Sequence, residues 1–290
     1  MASAYRGRLA PSPTGFLHAG HARTFWTASE RARAAGGTLI LRNEDLDASR
    51  SRPEFAAAML EDLRWFGLRW QEGPDCGGPR GPYAQSERRE FYLTGFERLR
   101  AGGWVYPCHC SRRDVRRALQ APHAGEEEPL YPGTCRPAPG ASGRTAPRGG
   151  KRPPNWRFRV PEGAAIEFED GGFGAQRFVA GKDFGDFVVW RHDAVPSYQL
   201  AVVLDDAAMG ITEVVRGADL LLSTARQLLL YRALSLEPPA FYHCPLVTNE
   251  AGVRLAKRED AASLRTLREK GLTPEAIRQG WRGSNPPQIQ

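Results

Sequence analysis

No stretch of ~18 uncharged apolar residues occurs in this 290-residue chain, which argues against a membrane-spanning helix. The opening residues, MASAYRGRL, also lack the apolar run of a secretory signal. A cytoplasmic protein with no membrane partner is therefore expected. Cysteine is scarce and odd in number: Cys76, Cys108, Cys110, Cys135 and Cys244. In a reducing compartment this count speaks against a disulfide framework, yet three of the five fall close together and ask for another explanation. The chain shows no internal repeat, and the acidic run at 126–128 reads as a solvated loop.

What the chain does have is positive charge. Forty Lys plus Arg, mostly Arg, stand against thirty-three Asp plus Glu, a formal net charge of +7. That balance suits phosphates or nucleic acid, although an arginine-rich genome gives the same excess without a polyanion partner. The length allows one large domain, or a core domain with a smaller appendage.

Strand and helix alternate in the first part. RGRLA reads as a strand running into a Pro-rich turn at 11–15, followed by a helical apolar spacing over 20–35 (Ala22, Phe25, Trp26, Ala32, Ala35) that Gly36 and Gly37 end. TLILR reads as a second strand. Pro53 opens a helix that stops at Gly67, and Ser86 is the expected N-cap of another ending at Gly102. This rhythm predicts a parallel sheet with ligands beyond the carboxyl ends of its strands. Over 104–185 Pro and Gly become frequent, a basic loop occupies 140–154, and NWRFRV and AIEFED read as short strands of an insertion. The rhythm resumes with DFVVWR, a helical YQLAVVLDDAAMG, the strand ITEVVRG, the helix STARQLLLYRALS and the strand FYHCPLVT; two short helical patterns close the chain.

His18 and His21 fall on one face at the start of the first helix, where unpaired N–H groups and the helix dipole favour phosphate oxygens. Gly20 between them gives a nucleotide room to approach the backbone. Spacing alone leaves two alternatives open, a metal-holding pair or two satisfied side chains. Cys108, Cys110, Tyr131 and Cys135 form a C-x-C-x20-Y-x3-C array. Three thiolates and one harder donor fill a zinc tetrahedron, whereas buried free cysteines are an ordinary alternative.

RLAPSPTGFLHAGHA resembles the amino-terminal signature of the class I glutamyl- and glutaminyl-tRNA synthetases, in which Arg-x-Ala-Pro-Ser-Pro-Thr-Gly precedes His-x-Gly-His. LRNEDLDASR is similar to that family's Glu-Asp segment, PSYQLAVVLDDAAMGITEVVRGADL to its Tyr, Asp-Asp, Met-Gly and Arg block, and VRLAKRED sits where its Lys-Met-Ser-Lys-Ser loop belongs. The resemblance implies an α/β fold: a Rossmann-type parallel sheet in two halves (1–103 and 186–250), an inserted zinc-binding, β-containing subdomain (104–185), and the signature loop with a short helical region (251–290). It implies that His18, His21 and Lys257 are catalytic and, with Gly20, bind ATP, which magnesium accompanies. Arg8, Ser12, Glu44, Tyr198 and Arg216, with Leu9, Ala10 and Pro11 beside them, match the glutamate-binding positions. By that match Glu44 takes the α-amino group, Arg8 and Arg216 share the carboxylates, and Tyr198 closes the pocket. The loop departs from the family in having Ala256 where a serine is usual, flanked by Arg254 and Arg258.

The cysteine array resembles the zinc site of a short branch of the family, the glutamyl-queuosine tRNA(Asp) synthetases, in which tyrosine is the fourth ligand. The insert here is longer, which makes His123 the reserve for Tyr131. Cys76 and Cys244 stay structural. After Lys257 the sequence holds only two short helical patterns where longer family members carry an anticodon-binding domain. The short branch accordingly implies a monomer that activates L-glutamate with ATP and passes it to queuosine in the anticodon of tRNA(Asp), with the basic 144–152 loop on RNA phosphates. The rivals are a shortened glutamyl-tRNA synthetase charging an acceptor end, a small-molecule adenylyltransferase, and a non-catalytic nucleotide- or RNA-binding paralogue.

Overall fold

A computed structural model describes residues 4–111, 130–138, 152–246 and 263–281. Lys257 with Arg254, Ala256 and Arg258, His123, and the basic loop up to residue 151 lie outside them.

Strand β1 (Arg6–Leu9) pairs in parallel with β2 (Thr38–Leu41), Arg6 opposite Thr38 through to Leu9 opposite Leu41. Parallel neighbours need a crossover, and α1 (Ala19–Ala34) supplies it by burying Ala22, Phe25, Ala28 and Ala32 on one face. Helix α2 (Pro53–Trp65) carries Pro in its first turn, and Gly67, at φ 91°, follows its C-cap. Ser86 is not an N-cap. Its N–H and hydroxyl both donate to the Asp45 carboxylate, at 2.8 and 2.7 Å. With that side chain engaged upstream, a short 3₁₀ turn (Gln85–Glu87) intervenes and α3 (Arg89–Ala101) starts from Arg88.

An antiparallel sheet of β3 (Val105–Cys108), β4 (Asn155–Phe158) and β7 (Val188–Trp190) has the order β3-β4-β7. The second has the order β6-β5-β9-β8. In it, β5 (Ala165–Asp170) and β6 (Gly174–Val179) form a hairpin, and β8 (Glu213–Gly217) runs parallel to β9 (Ala240–Cys244). Asp170 of β5 lies opposite Phe241 of β9. β8 borders β1: Thr212 N donates to Arg6 O at 2.9 Å, and Arg6 N to Thr212 Oγ1 at 2.9 Å. Strands from the segment read as an insertion thus enter the three-stranded and the four-stranded sheet, and β7, read as the resumption of the α/β rhythm, pairs with β4.

Helices α4 (Tyr198–Ala208) and α5 (Leu221–Ala233) pack with α3 around Leu200, Val203, Leu229 and Phe96. A second cluster gathers Leu9, Leu41, Leu63 and Phe66 with Leu264 of α6 (Leu264–Glu269) and Ile277 of α7 (Pro274–Gln279). A buried ionic network ties the end of β2 to α4. Arg42, fully buried, donates to Asp206 at 2.6 Å and to Glu44 at 2.9 Å and approaches Asp205 at 3.7 Å. Arg88 donates to Asp205 at 2.7 Å. Charges this deep persist only when paired.

Candidate active site

The carboxyl ends of β1 and β8 and the N-termini of α1 and α4 wall a cavity of ≈ 480 Å³. Arg8, Ala10, Pro11, Ser12, His18, Gly20, His21, Glu44, Tyr198 and Arg216 all line it. Leu9 does not: its side chain is fully buried in the core, and its carbonyl accepts from Arg42 N at 2.8 Å. That follows from strand alternation, which turns Leu9 away from the side on which Arg8 opens. Lys257 lies outside the described residues, yet the chain on both sides of its loop borders the site. Leu246 lines the cavity, and Ser263 bridges to His18 while Leu264 N donates to Leu17 O at 2.7 Å.

Helix α1 begins at Ala19, so His18 is its N-cap, in extended conformation, and His21 is the third helical residue. His18 Nδ1 accepts from Gly20 N at 3.1 Å, and His21 Nδ1 takes a long 3.5 Å contact from His18 N. The rings stack with centroids 3.7 Å apart. In the neutral form each ring then carries its proton on Nε2, because Nδ1 is an acceptor. Histidine replaces the usual Ser, Thr, Asp or Asn cap, which is why the sequence pattern places both histidines on the helix face rather than one at its cap. Gly20 lines the cavity beside the cap, and a Cβ added there would meet His18 Cε1 at 3.0 Å.

The two cavity arginines, Arg8 and Arg216, and the fully buried Arg42 behind them differ in their partners. Arg8 donates to Val215 O at 2.9 Å and faces Asp206 at 3.6 Å, while Arg42 is held by Asp206 and Glu44. Burial pushes the Glu44 carboxyl up against the pull of Arg42 and Arg8, a setting that an added ammonium group relieves. Arg216 contacts uncharged groups: its Nε donates to His243 Nε2 at 3.1 Å, its terminal nitrogens to Thr224 Oγ1 at 2.7 Å and Tyr198 Oη at 3.5 Å. Arg8, Arg42 and Arg88 are thus matched by Glu44, Asp205 and Asp206, whereas no carboxylate among the described residues pairs with Arg216. Its position suits a ligand anion.

Sequence reasoning missed the roles of Arg42, Asp205, Asp206 and His243. A detectable signal was the pair of acids inside the apolar run YQLAVVLDDAAMG, since charges on a buried helix face require partners.

The cysteine array closes on itself beyond β3. Cys110 Sγ lies 3.6 Å from Cys135 Sγ, and Tyr131 Oη lies 3.4 Å from Cys108 Sγ and 3.8 Å from Cys110 Sγ. The three thiol sulfurs lie within 4.8 Å of one another. Edges of a zinc tetrahedron with ordinary Zn–S and Zn–O bonds are ~3.5–3.8 Å, so these four donors fit one ion. Burial pushes the Cys110 thiol up to about 12, a penalty that coordination to a cation removes. Arg157 stacks 3.8 Å over the Tyr131 ring and donates to Cys108 Sγ at 3.3 Å.

Parallel strands joined by crossover helices, with a cavity at their carboxyl ends against a helix mouth, define an α/β nucleotide-binding protein. The family model for tRNA synthetases class I (E and Q), catalytic domain, matches residues 4–286. The chain is 52% identical to the glutamyl-Q tRNA(Asp) synthetase of Symbiobacterium thermophilum and 49% identical to that of Nitratidesulfovibrio vulgaris. The alignments cover 93% and 92% of this chain and 83% and 82% of those proteins. A crystal structure of the glutamate tRNA ligase of Elizabethkingia meningosepticum superposes with a TM-score of 0.75 at 30% identity, over 93% of this chain and 54% of the ligase; this chain spans about half that protein. The chain belongs to the class I (E and Q) tRNA synthetases, a family of ligases.

Proposed function

We propose that this enzyme activates L-glutamate with ATP to glutamyl-adenylate and transfers the glutamyl group to queuosine in the anticodon of tRNA(Asp). The observation that carries the reading is the joining, in one cavity, of a helix-mouth donor set with a Glu44, Arg8, Arg216 and Tyr198 pocket. In the first step a glutamate carboxylate oxygen attacks the α-phosphorus of ATP and pyrophosphate leaves. His18 and His21 stabilise the phosphate charge with magnesium, Gly20 leaves the nucleotide room beside them, and Lys257 adds a cation from the loop whose flanks border the site. Glu44 holds the α-ammonium while Arg8 and Arg216 hold carboxylates. In the second step a hydroxyl of the queuosine ring attacks the activated carbonyl, forming an ester and releasing AMP. Orientation carries most of that step.

Cys108, Cys110, Cys135 and Tyr131 hold a zinc ion, whose contribution is to tie the strand β3 end to the 131–135 turn. The division into a catalytic core of 1–103 and 186–250, a zinc-bearing 104–185 and a terminal 251–290 belongs to the same proposal, as do a monomeric state and a cytoplasmic setting. Among the described residues no helix is long and apolar enough to cross a membrane.

Queuosine as acceptor is supported by the two relatives at 52% and 49% identity, both glutamyl-Q tRNA(Asp) synthetases. The Elizabethkingia ligase supports a second reading, glutamylation of a tRNA acceptor end. The test incubates the enzyme with ATP, labelled glutamate and either queuosine-containing tRNA(Asp), queuosine-free tRNA(Asp) or tRNA(Glu). Alkali-labile label confined to the first is expected; label on tRNA(Glu) alone favours the second reading. No pyrophosphate exchange with glutamate would overturn both.

A further inference from the structure

His243, on β9, is buried behind Arg216 and does not line the cavity. Its Nε2 accepts from Arg216 Nε, and its Nδ1 lies 2.6 Å from Asp170 Oδ2. A guanidinium can only donate, so Nε2 must offer a lone pair and the ring proton must sit on Nδ1, facing Asp170. The other carboxylate oxygen, Oδ1, accepts backbone N–H groups from Gly172 at 3.0 Å, Phe173 at 2.9 Å and His243 at 3.2 Å. Asp170 is therefore fixed in one orientation, and it fixes the tautomer of the imidazole.

We propose that His243 is a positioning residue for amino acid selection: held in its Nδ1–H tautomer by Asp170, it aims Arg216 at the side-chain carboxylate of glutamate. This rests on the reading of the cavity as a glutamate site. The choice of a neutral acceptor matters. A carboxylate in the place of His243 would neutralise Arg216 and leave it as satisfied with an amide as with an anion. An imidazole fixes the direction of the guanidinium while leaving its charge for the ligand. Burial and the nearby Arg216 charge lower His243 to about 4, so it stays neutral at physiological pH. Burial pushes the Asp170 carboxyl up, but its hydrogen bonds to His243 outweigh that and hold it below its ordinary value. The pair thus rests as carboxylate and neutral ring.

The network dictates an isosteric test. In Asp170→Asn the three backbone donors keep the amide oxygen at the Oδ1 position, which turns the NH₂ toward His243 Nδ1. The ring must then accept there and carry its proton on Nε2, where it no longer accepts from Arg216 and competes with it for Thr224 Oγ1, 3.3 Å away. In His243→Gln the amide oxygen reaches the Nε2 position and still accepts from Arg216, whatever stands at 170. In His243→Asn it falls short.

Measured by ATP–pyrophosphate exchange with the full chain, Asp170→Asn and His243→Asn should raise KM for glutamate about tenfold or more. KM for ATP should move less than about twofold, and discrimination against glutamine should fall in step. His243→Gln should stay within about threefold of wild type, and adding Asp170→Asn to it should cost nothing further, a non-additive cycle. Nitrogen NMR of the His243 ring should show the proton on Nδ1 in wild type and on Nε2 in Asp170→Asn. The positioning role is overturned if the wild type exchanges with glutamate but KM for ATP and glutamate rise together, or if Gln and Asn at 243 behave alike. Absence of glutamate-dependent exchange in wild type overturns the glutamate site itself and this role with it.

Discussion

At the residue scale, the site is built from side chains that first solve a problem of their own fold. His18 caps α1 and Arg42 neutralises two buried acids, while His243 gives β9 a partner for Asp170. That last pair makes stability depend on pH. An unfolded histidine takes a proton near 6.5, whereas folded His243 resists it down to about 4. Between those values the unfolded chain binds more protons, so stability is lost as pH falls from 6.5 toward 4, by on the order of 3 kcal/mol at most. Urea midpoints at pH 7 and pH 5 should show this loss for wild type, and His243→Gln should show a smaller one. Equal losses would place the titration elsewhere. Arg8, Ser12, Glu44, Tyr198 and Arg216 were legible in the sequence because each lies inside a motif. His243 and Asp170 were not, because their contact spans 73 positions and exists only once β5 and β9 are in register.

At the scale of elements, helices were legible wherever a whole apolar face repeats, as in α1, α2 and α4. Two strands were not. β3 carries Pro107 and only four residues, and β6 alternates weakly with half-exposed positions, so neither offers a clear period of two. The start of α3 was misplaced because the capping potential of Ser86 is taken by Asp45, 41 residues upstream. Gly95 shows what tight helix packing demands. A Cβ added there would lie 2.4 Å from Leu204 Cδ1 and 2.8 Å from Cδ2, so α3 and α4 approach at that point without room for a methyl. Gly95→Ala should destabilise by roughly 1–3 kcal/mol, despite alanine's better helix propensity, and the same change made in a Leu204→Ala background should cost less; a rise in Tm on Gly95→Ala alone would contradict this packing. The Cys108, Cys110, Cys135 and Tyr131 cluster joins β3 to the 131–135 turn, and on the proposed zinc site elemental analysis should find one zinc per chain. Cys135→Ser should lose most of it. Tyr131→Phe keeps three sulfurs and should weaken retention against a chromophoric chelator by about tenfold or more, whereas unchanged retention would move the fourth ligand to another group.

At the scale of the molecule, the sequence showed an α/β chain with an unlike middle but not how the middle is sewn in. Pairing of β5 with β9 and of β4 with β7 is long-range, and strand periodicity says nothing about partners. Charge works at this scale too. A net charge of +7 cannot be shared equally by the two proposed steps. On the proposed mechanism adenylation takes place inside a cavity whose ion pairs are buried and poorly screened by salt. Transfer requires a polyanion to be held on the outer surface, and each phosphate contact releases counterions, so affinity falls steeply with salt. Raising salt from 50 to 200 mM should therefore weaken tRNA binding about tenfold or more while exchange changes less than about twofold. Reversing Arg144, Arg148, Lys151 and Arg152 to Glu should reproduce the loss at fixed salt and flatten the salt slope, with exchange intact. If RNA affinity and slope stay unchanged in that variant, the contact with phosphates lies on another face of the protein. If exchange falls as well, the loop acts on the catalytic cavity, and the separation of the two steps by charge is lost.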